Sequence, residues 1–242
     1  MIIQEGAGSG LPRIDDVVIA IPARDEQQLL PGCLDALRRS AEQVSVPVRI
    51  QVVLDACTDH SARVAEAAGA EVIVVDAHNV GAARAAGFAA AGLGCGAGTW
   101  FATTDADSRV DRGWLNRQIR YAEAGAEIVA GVVTVADWDH YSPQVRARYE
   151  RAYRVERAAG HVHGASLGFR ADIYWRTGGF ASLRSGEDVE FVHRAAALGV
   201  RVVWAEDVVV ATSGRRFGRA PGGFAAHLRR LEASSTPEAE SA

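Results

Sequence analysis

The feature that most constrains this chain is a run of short apolar segments separated by stretches of helical periodicity. Val17 to Ile21 is apolar and ends at Pro22, which reads as a buried strand. Leu30, Cys33, Leu34 and Leu37 then recur at the spacing of one helix face. The rhythm repeats: Val48–Leu54, Val72–Val75, Thr99–Thr104 and Ile128–Val135 read as strands, and Ser61–Ala68, Ala82–Ala91 and Gly113–Ala124 as the helices between them. Strands alternating with helices predict a mostly parallel central sheet with helices on both faces. In such a sheet the connections are right-handed and ligands lie beyond the carboxyl ends of the strands.

Those strand ends carry acids. Asp55 follows Val52-Val53-Leu54, and Asp105 and Asp107 follow the run ending at Thr104. Two carboxylates flanking one residue offer hard oxygen donors to magnesium or manganese, with substrate phosphates completing the shell. An isolated Asp-X-Asp is a weak signal, because an Asp after a strand is also an ordinary turn or cap residue; Asp111 is read that way.

After Asp137 the pattern loosens. Gln144–Gly160 reads as an Arg-rich amphipathic helix, His161–Phe169 as mixed, Glu187–Leu198 as helical, with two short apolar runs around Val202 and Val209. Residues 1–13 read as a flexible leader and 233–242 as a disordered tail. Residues 14–232 are expected to form one domain, in which 137–232 build the wall of a cleft opposite 14–136.

Composition closes other routes. A net charge of -4 gives no overall attraction for nucleic acid. Arg215, Arg216, Arg219, Arg229 and Arg230 crowd one stretch, which suits a solvated face, a phosphate or an acidic membrane surface. The three cysteines Cys33, Cys57 and Cys95 show no paired spacing, so a reducing, cytoplasmic setting is expected. No apolar stretch reaches the length of a membrane span. No Gly-X-Gly-X-X-Gly follows a strand, which disfavours a dinucleotide-binding dehydrogenase.

Five segments in order carry a resemblance: Val18–Glu26, Val52–Asp59, Asn79–Arg84, Thr104–Asp107 and Gly186–Phe191. Together they are similar to the family 2 glycosyltransferases of the GT-A (nucleotide-diphospho-sugar transferase) fold. The resemblance implies an inverting, metal-dependent hexosyltransferase-type enzyme that moves one sugar from a nucleotide-diphosphate sugar to an acceptor hydroxyl. Pro22, Arg24 and Glu26 then belong to the loop after the first strand that contacts the nucleotide. Asp55 resembles the acid that binds the base; Leu54 stands where the family often has a second acid. Gly81 and Arg84 lie near the nucleotide, where Arg84 would pair with a phosphate. Asp105 and Asp107 engage ribose, Mn2+ or Mg2+ and diphosphate, with His163 as candidate third ligand. Arg215 and Arg216 would hold diphosphate, and Asp188, or Glu187 one residue earlier, would be the general base. Two alternatives stand beside this: a nucleotidyltransferase, disfavoured by the glycine-free Pro22–Glu26 loop, and an inactive nucleotide-sugar-binding protein. The acceptor, whether small molecule, lipid carrier or glycan, is not readable from the residues. Trp138 and Trp204 are assigned to core packing in preference to sugar stacking, and His161 and His227 to ordinary surface or half-buried positions.

Overall fold

The computed structural model describes residues 13–92, 94–158, 160–218 and 222–234. Most of the leader, most of the tail and Arg219 therefore lie outside the described residues, as does Leu93.

The eight strands are β1 (Asp16–Ala23), β2 (Val48–Asp55), β3 (Glu71–Val75), β4 (Thr99–Thr103), β5 (Ser108–Val110), β6 (Ile128–Val135), β7 (Leu167–Arg170) and β8 (Val202–Thr212). They form one sheet in the order β3-β2-β1-β4-β7-β6-β8-β5. The pairs β2–β3, β1–β2, β1–β4 and β6–β8 are parallel. Strand β7 runs antiparallel to both β4 and β6, and β5 antiparallel to β8. Parallel pairing thus predominates within a mixed sheet.

The helices are α1 (Leu30–Ala41), α2 (Ser61–Ala67), α3 (Val80–Ala91), α4 (Trp114–Glu123), α5 (Pro143–Ala158), α6 (Ala171–Thr177), α7 (Glu187–Ala197) and α8 (Phe224–Ala233). They cover both faces, and β1 shows why. Val17, Ile19 and Ile21 enter one core with Leu30, Leu37, Trp114 and Leu115 from α1 and α4. Val18 and Ala20 enter the other with Phe88, Phe169, Tyr174 and Phe191. A strand buried on both faces has no polar alternation, which is why β1 reads as a continuous apolar run. A third, smaller core of Tyr141, Val145, Tyr149, Tyr153 and Leu228 joins α5 to α8.

Four sequence expectations change. The two runs around Val202 and Val209 are one strand: its register against β6 slips between Gly131 and Val132, so Glu206 and Asp207 bulge out between apolar halves. The mixed segment before Phe169 contains β7, preceded by a short 3-10 turn at Gly164–Ser166. Trp204 is not core: it is 47% exposed, whereas Trp138 packs against Tyr141 and Tyr149. Helix α8 extends to Ala233, one residue into the expected tail. Among the described residues no helix is long and apolar enough to cross a membrane.

Candidate active site

A cleft of about 650 Å³ opens beyond the carboxyl ends of β1, β2 and β4. Pro22, Arg24, Glu26, Asp55, Arg84, Asp105, Asp107, His163, Glu187, Asp188 and Arg215 all line it. Gly81 and Arg216 do not.

Asp55 ends β2 and is buried. Its Oδ1 accepts the Ala77 and His78 amides at 2.7 and 2.8 Å, and its Oδ2 accepts the Asn79 amide at 2.8 Å. The carboxylate therefore fixes the approach to α3, where the Asn79 side chain caps the helix by accepting from the Ala82 amide at 2.9 Å. Gly81 serves packing: a Cβ there would overlap the Ala181 carbonyl oxygen and stand 3.0 Å from the Glu187 Cβ. Its absence lets α3 approach the loop that leads into α7.

Arg84 is neither a solvated helix arginine nor available to phosphate. It is 3% exposed. Its Nε donates to Thr103 Oγ1 at 3.1 Å, while its two terminal nitrogens form ion pairs with Asp105 and Glu187. These pairs hold the guanidinium's pKa up against the cost of burial. Arg84 thus ties the floor of the cleft to the start of α7. Glu187 is consumed by this contact; burial raises its pKa and Arg84 opposes the rise.

Asp188 has a different environment. It is half-buried, faces the cleft, and accepts the Gly164 amide on one oxygen and its own neighbour's amide, Val189, on the other. The two adjacent acids differ: Glu187 is 2% exposed and held by Arg84, whereas Asp188 is half-buried and more open to the cleft.

Asp107 lies across from them. Burial pushes its pKa up to about 6, against the lowering effect of Arg215, whose Nη2 is 2.8 Å from Oδ2. Arg215 also grips Glu26 through two bonds of 2.8 and 2.7 Å. One guanidinium thereby joins the loop after β1 to the Asp-X-Asp segment. Arg216 turns away: it pairs with Glu232, donates to the His140 carbonyl at 2.8 Å and lies over the Tyr141 ring.

His163 faces the aromatic side of the cleft, with its ring 4.3 Å from His161 and 5.4 Å from Tyr153 between centroids. Burial lowers its pKa to about 3, so it is uncharged at neutral pH. Its donor atoms do not gather with those of Asp105 and Asp107. Among the described residues the one trio within 4.8 Å is Asp25, Cys57 and Asp59. Those acids are occupied by the amides of Thr58, Asp59, Gln27 and Ser61. Asp105 and Asp107 remain suitable hard donors, because both carry carboxylates at the cleft floor.

The aromatic lining was not anticipated from sequence. Tyr149 and Tyr153 stand one helical turn apart on α5 and stack at 5.4 Å, 11° between planes. Phe224 from α8 meets Tyr149 edge-on at 5.6 Å. The i, i+4 spacing of the tyrosines was the available signal.

An α/β cleft with acids at strand ends and a further acid pair from the distal half is the frame of a GT-A domain. The chain belongs to glycosyl transferase family 2, whose profile matches residues 18–178. Solved structures agree on the fold. Residues 1–349 of TarS from S. aureus, in complex with UDP-GlcNAc, align with a TM-score of 0.65 at 13% identity, over 90% of this chain and 66% of that one. A mannosyltransferase from Pyrobaculum calidifontis, in complex with GDP-Man and Mn2+, aligns with a TM-score of 0.60 at 20% identity, over 86% of this chain and 59% of that one. No curated protein matches by sequence.

Proposed function

We propose that the chain is an inverting glycosyltransferase that moves one hexosyl unit from a nucleotide-diphosphate sugar to an acceptor hydroxyl, assisted by Mn2+ or Mg2+. The observation that carries this reading is the separation of Glu187 from Asp188. One acid is bonded to Arg84, and the other faces the same cleft as Asp105 and Asp107.

The nucleotide side is built by Pro22, Arg24, Glu26 and Asp55, with the Asn79–Val80 start of α3 beside them. A divalent cation on Asp105 and Asp107 would supply charge neutralisation to the departing diphosphate. Arg215 already neutralises Asp107 and is the cleft's candidate partner for the diphosphate. Asp188 accepts the proton of the acceptor hydroxyl; its bond to the Gly164 amide orients the carboxylate for that transfer. Attack from the Asp188 side, opposite the leaving diphosphate, inverts the anomeric centre. Arg84 positions both acid groups without touching substrate. The complexes of TarS with UDP-GlcNAc and of the mannosyltransferase with GDP-Man and Mn2+ support the donor class and the cation.

The test has two parts. Thermal shift with UDP, GDP and dTDP, each with and without manganese, should show stabilisation by one of them that requires the metal. Asp188→Asn should bind that nucleotide like the parent and lose transfer. Full activity in Asp188→Asn removes the base, and the absence of any nucleotide effect removes the reading.

A further inference from the structure

We propose that the acceptor of this cleft is a small aromatic alcohol, seated on a wall of rings between α5 and α8 with its hydroxyl directed at Asp188. The fate of that hydroxyl rests on the glycosyl-transfer reading; the binding site does not.

The wall is continuous. Phe224 and His227 of α8 meet Tyr149 at 5.6 and 6.2 Å. Tyr149 stacks on Tyr153 at 5.4 Å, and Tyr153 meets His163 at 5.4 Å. All five line the cleft. The row ends one residue before Gly164, whose amide is bonded to Asp188. A planar ring lying on this row would therefore have its far edge beside the carboxylate. Rings favour offset and edge-on neighbours at such spacings.

What the wall lacks is equally informative. From residue 137 onward the described cleft lining contains no Asn and no Gln, and its carboxylates are Glu187 and Asp188 alone; Arg184, Ser185, Thr212 and Ser213 lie outside the ring row, and Arg230 lies farther along α8. Glu187 is engaged by Arg84. A polyhydroxylated sugar acceptor needs several directional partners, and a hydroxyl buried without one weakens binding. Val133, Val162, Ala165 and Ala225 add apolar surface instead. Among the described residues His163 Nε2, on this wall, is shielded from solvent and has no hydrogen-bond partner. A single polar substituent on the acceptor ring would satisfy it, so a hydroxylated ring suits the site better than a bare one.

In the transfer, the acceptor oxygen forms its bond to the anomeric carbon as that carbon's bond to the diphosphate oxygen breaks. The hydroxyl proton passes to Asp188, and the nucleoside diphosphate leaves with the bonding electron pair.

The experiment uses the full chain and three probes: 4-hydroxybenzyl alcohol, methyl glucoside and glycerol 3-phosphate. Each is titrated by saturation-transfer NMR, alone and with manganese and the nucleotide that stabilises the protein. The aromatic probe should bind at least about 10-fold more tightly than the others. Phe224→Leu should weaken it about 2- to 12-fold, the range that ring contacts of this kind contribute. Phe224 is half-buried at the edge of the α5–α8 core, and leucine keeps an apolar side chain there. Equal or tighter binding of methyl glucoside overturns the proposal in favour of a glycan acceptor. Preference for glycerol 3-phosphate overturns it in favour of a phosphorylated one, and unchanged affinity in Phe224→Leu overturns the ring wall. The ranking on the unsubstituted chain decides the matter by itself. Loss of the nucleotide effect, measured separately, strikes the transfer reading and leaves the probe ranking standing.

Discussion

Replacing Arg84 with methionine isolates the contact that joins the two halves of the cleft. The side chains of Arg84 and Glu187 are 4% and 3% exposed, so removing the cation leaves a carboxylate buried without its partner. Breaking such a pair costs about 3–5 kcal/mol. Asp105 is 37% exposed and turns to water, so its share is small. For a domain of this size the loss corresponds to a fall of roughly 6–20 °C in melting temperature. The deficit should depend on pH. Burial already raises the Glu187 carboxyl pKa, and losing Arg84 raises it further. A raised carboxyl pKa contributes stability that is complete below its unfolded value and is lost as pH rises through the folded one. The gap between Arg84→Met and the parent should therefore be smaller at about pH 5 than at about pH 8. Adding Glu187→Gln removes the stranded charge, so the double variant should melt well above Arg84→Met alone. Scanning calorimetry of the three proteins at both pH values reads all of this. A single variant that melts with the parent, or a double variant with no recovery, refutes the buried pair as the tie between the halves.

Three further outcomes follow from the geometry. Gly81→Ala forces a methyl against the Ala181 carbonyl oxygen and the Glu187 side chain, and should cost about 1–3 kcal/mol in denaturant titration. An unchanged midpoint would mean the α3 contact yields freely. Asp55→Ala removes the acceptor of three amides, so hydrogen exchange at Ala77, His78 and Asn79 should quicken while the β1 amides keep their protection. Unaltered exchange at those three amides would refute the clamp. Arg215→Ala should weaken nucleoside-diphosphate binding in calorimetry and Arg216→Ala should not, because Arg216 is held by Glu232 outside the cleft. Equal effects would contradict that division.

The parallel half of the fold was legible because β1 and β2 are buried runs that stop at cleft residues, and the helices between them carry clear apolar faces. The distal half was not. Strand β7 is four residues long and directly follows a 3-10 turn, so it offers no periodicity. Strand β8 carries Glu206 and Asp207 in mid-strand, which only the slipped register explains. The positions of Asp55, Asp105, Asp107 and Asp188 were readable as strand-end and helix-start acids. The inward place of Arg84 is legible in its spacing more than in its charge. Arg84 and Phe88 are one turn apart on the buried face of α3, and that spacing marks an interior residue. Arg216 and Arg215 are neighbours in sequence, and nothing in their order reveals that they point to different partners.

The late pairing of β5 with β8 gives the Asp-X-Asp segment a history on the ribosome. Ser108 Oγ donates to Thr212 Oγ1, 104 residues downstream, and the Ser213 amide donates to the Asp107 carbonyl. At about 5–20 residues per second, translation takes roughly 5–20 s to deliver that closing strand. Strands β1 to β4 and their helices can assemble during the wait, since their partners are already made. Asp105 and Asp107 emerge with them but acquire their final surroundings last. A nascent chain stopped before β8 should hold a parallel sheet with its acidic floor still open.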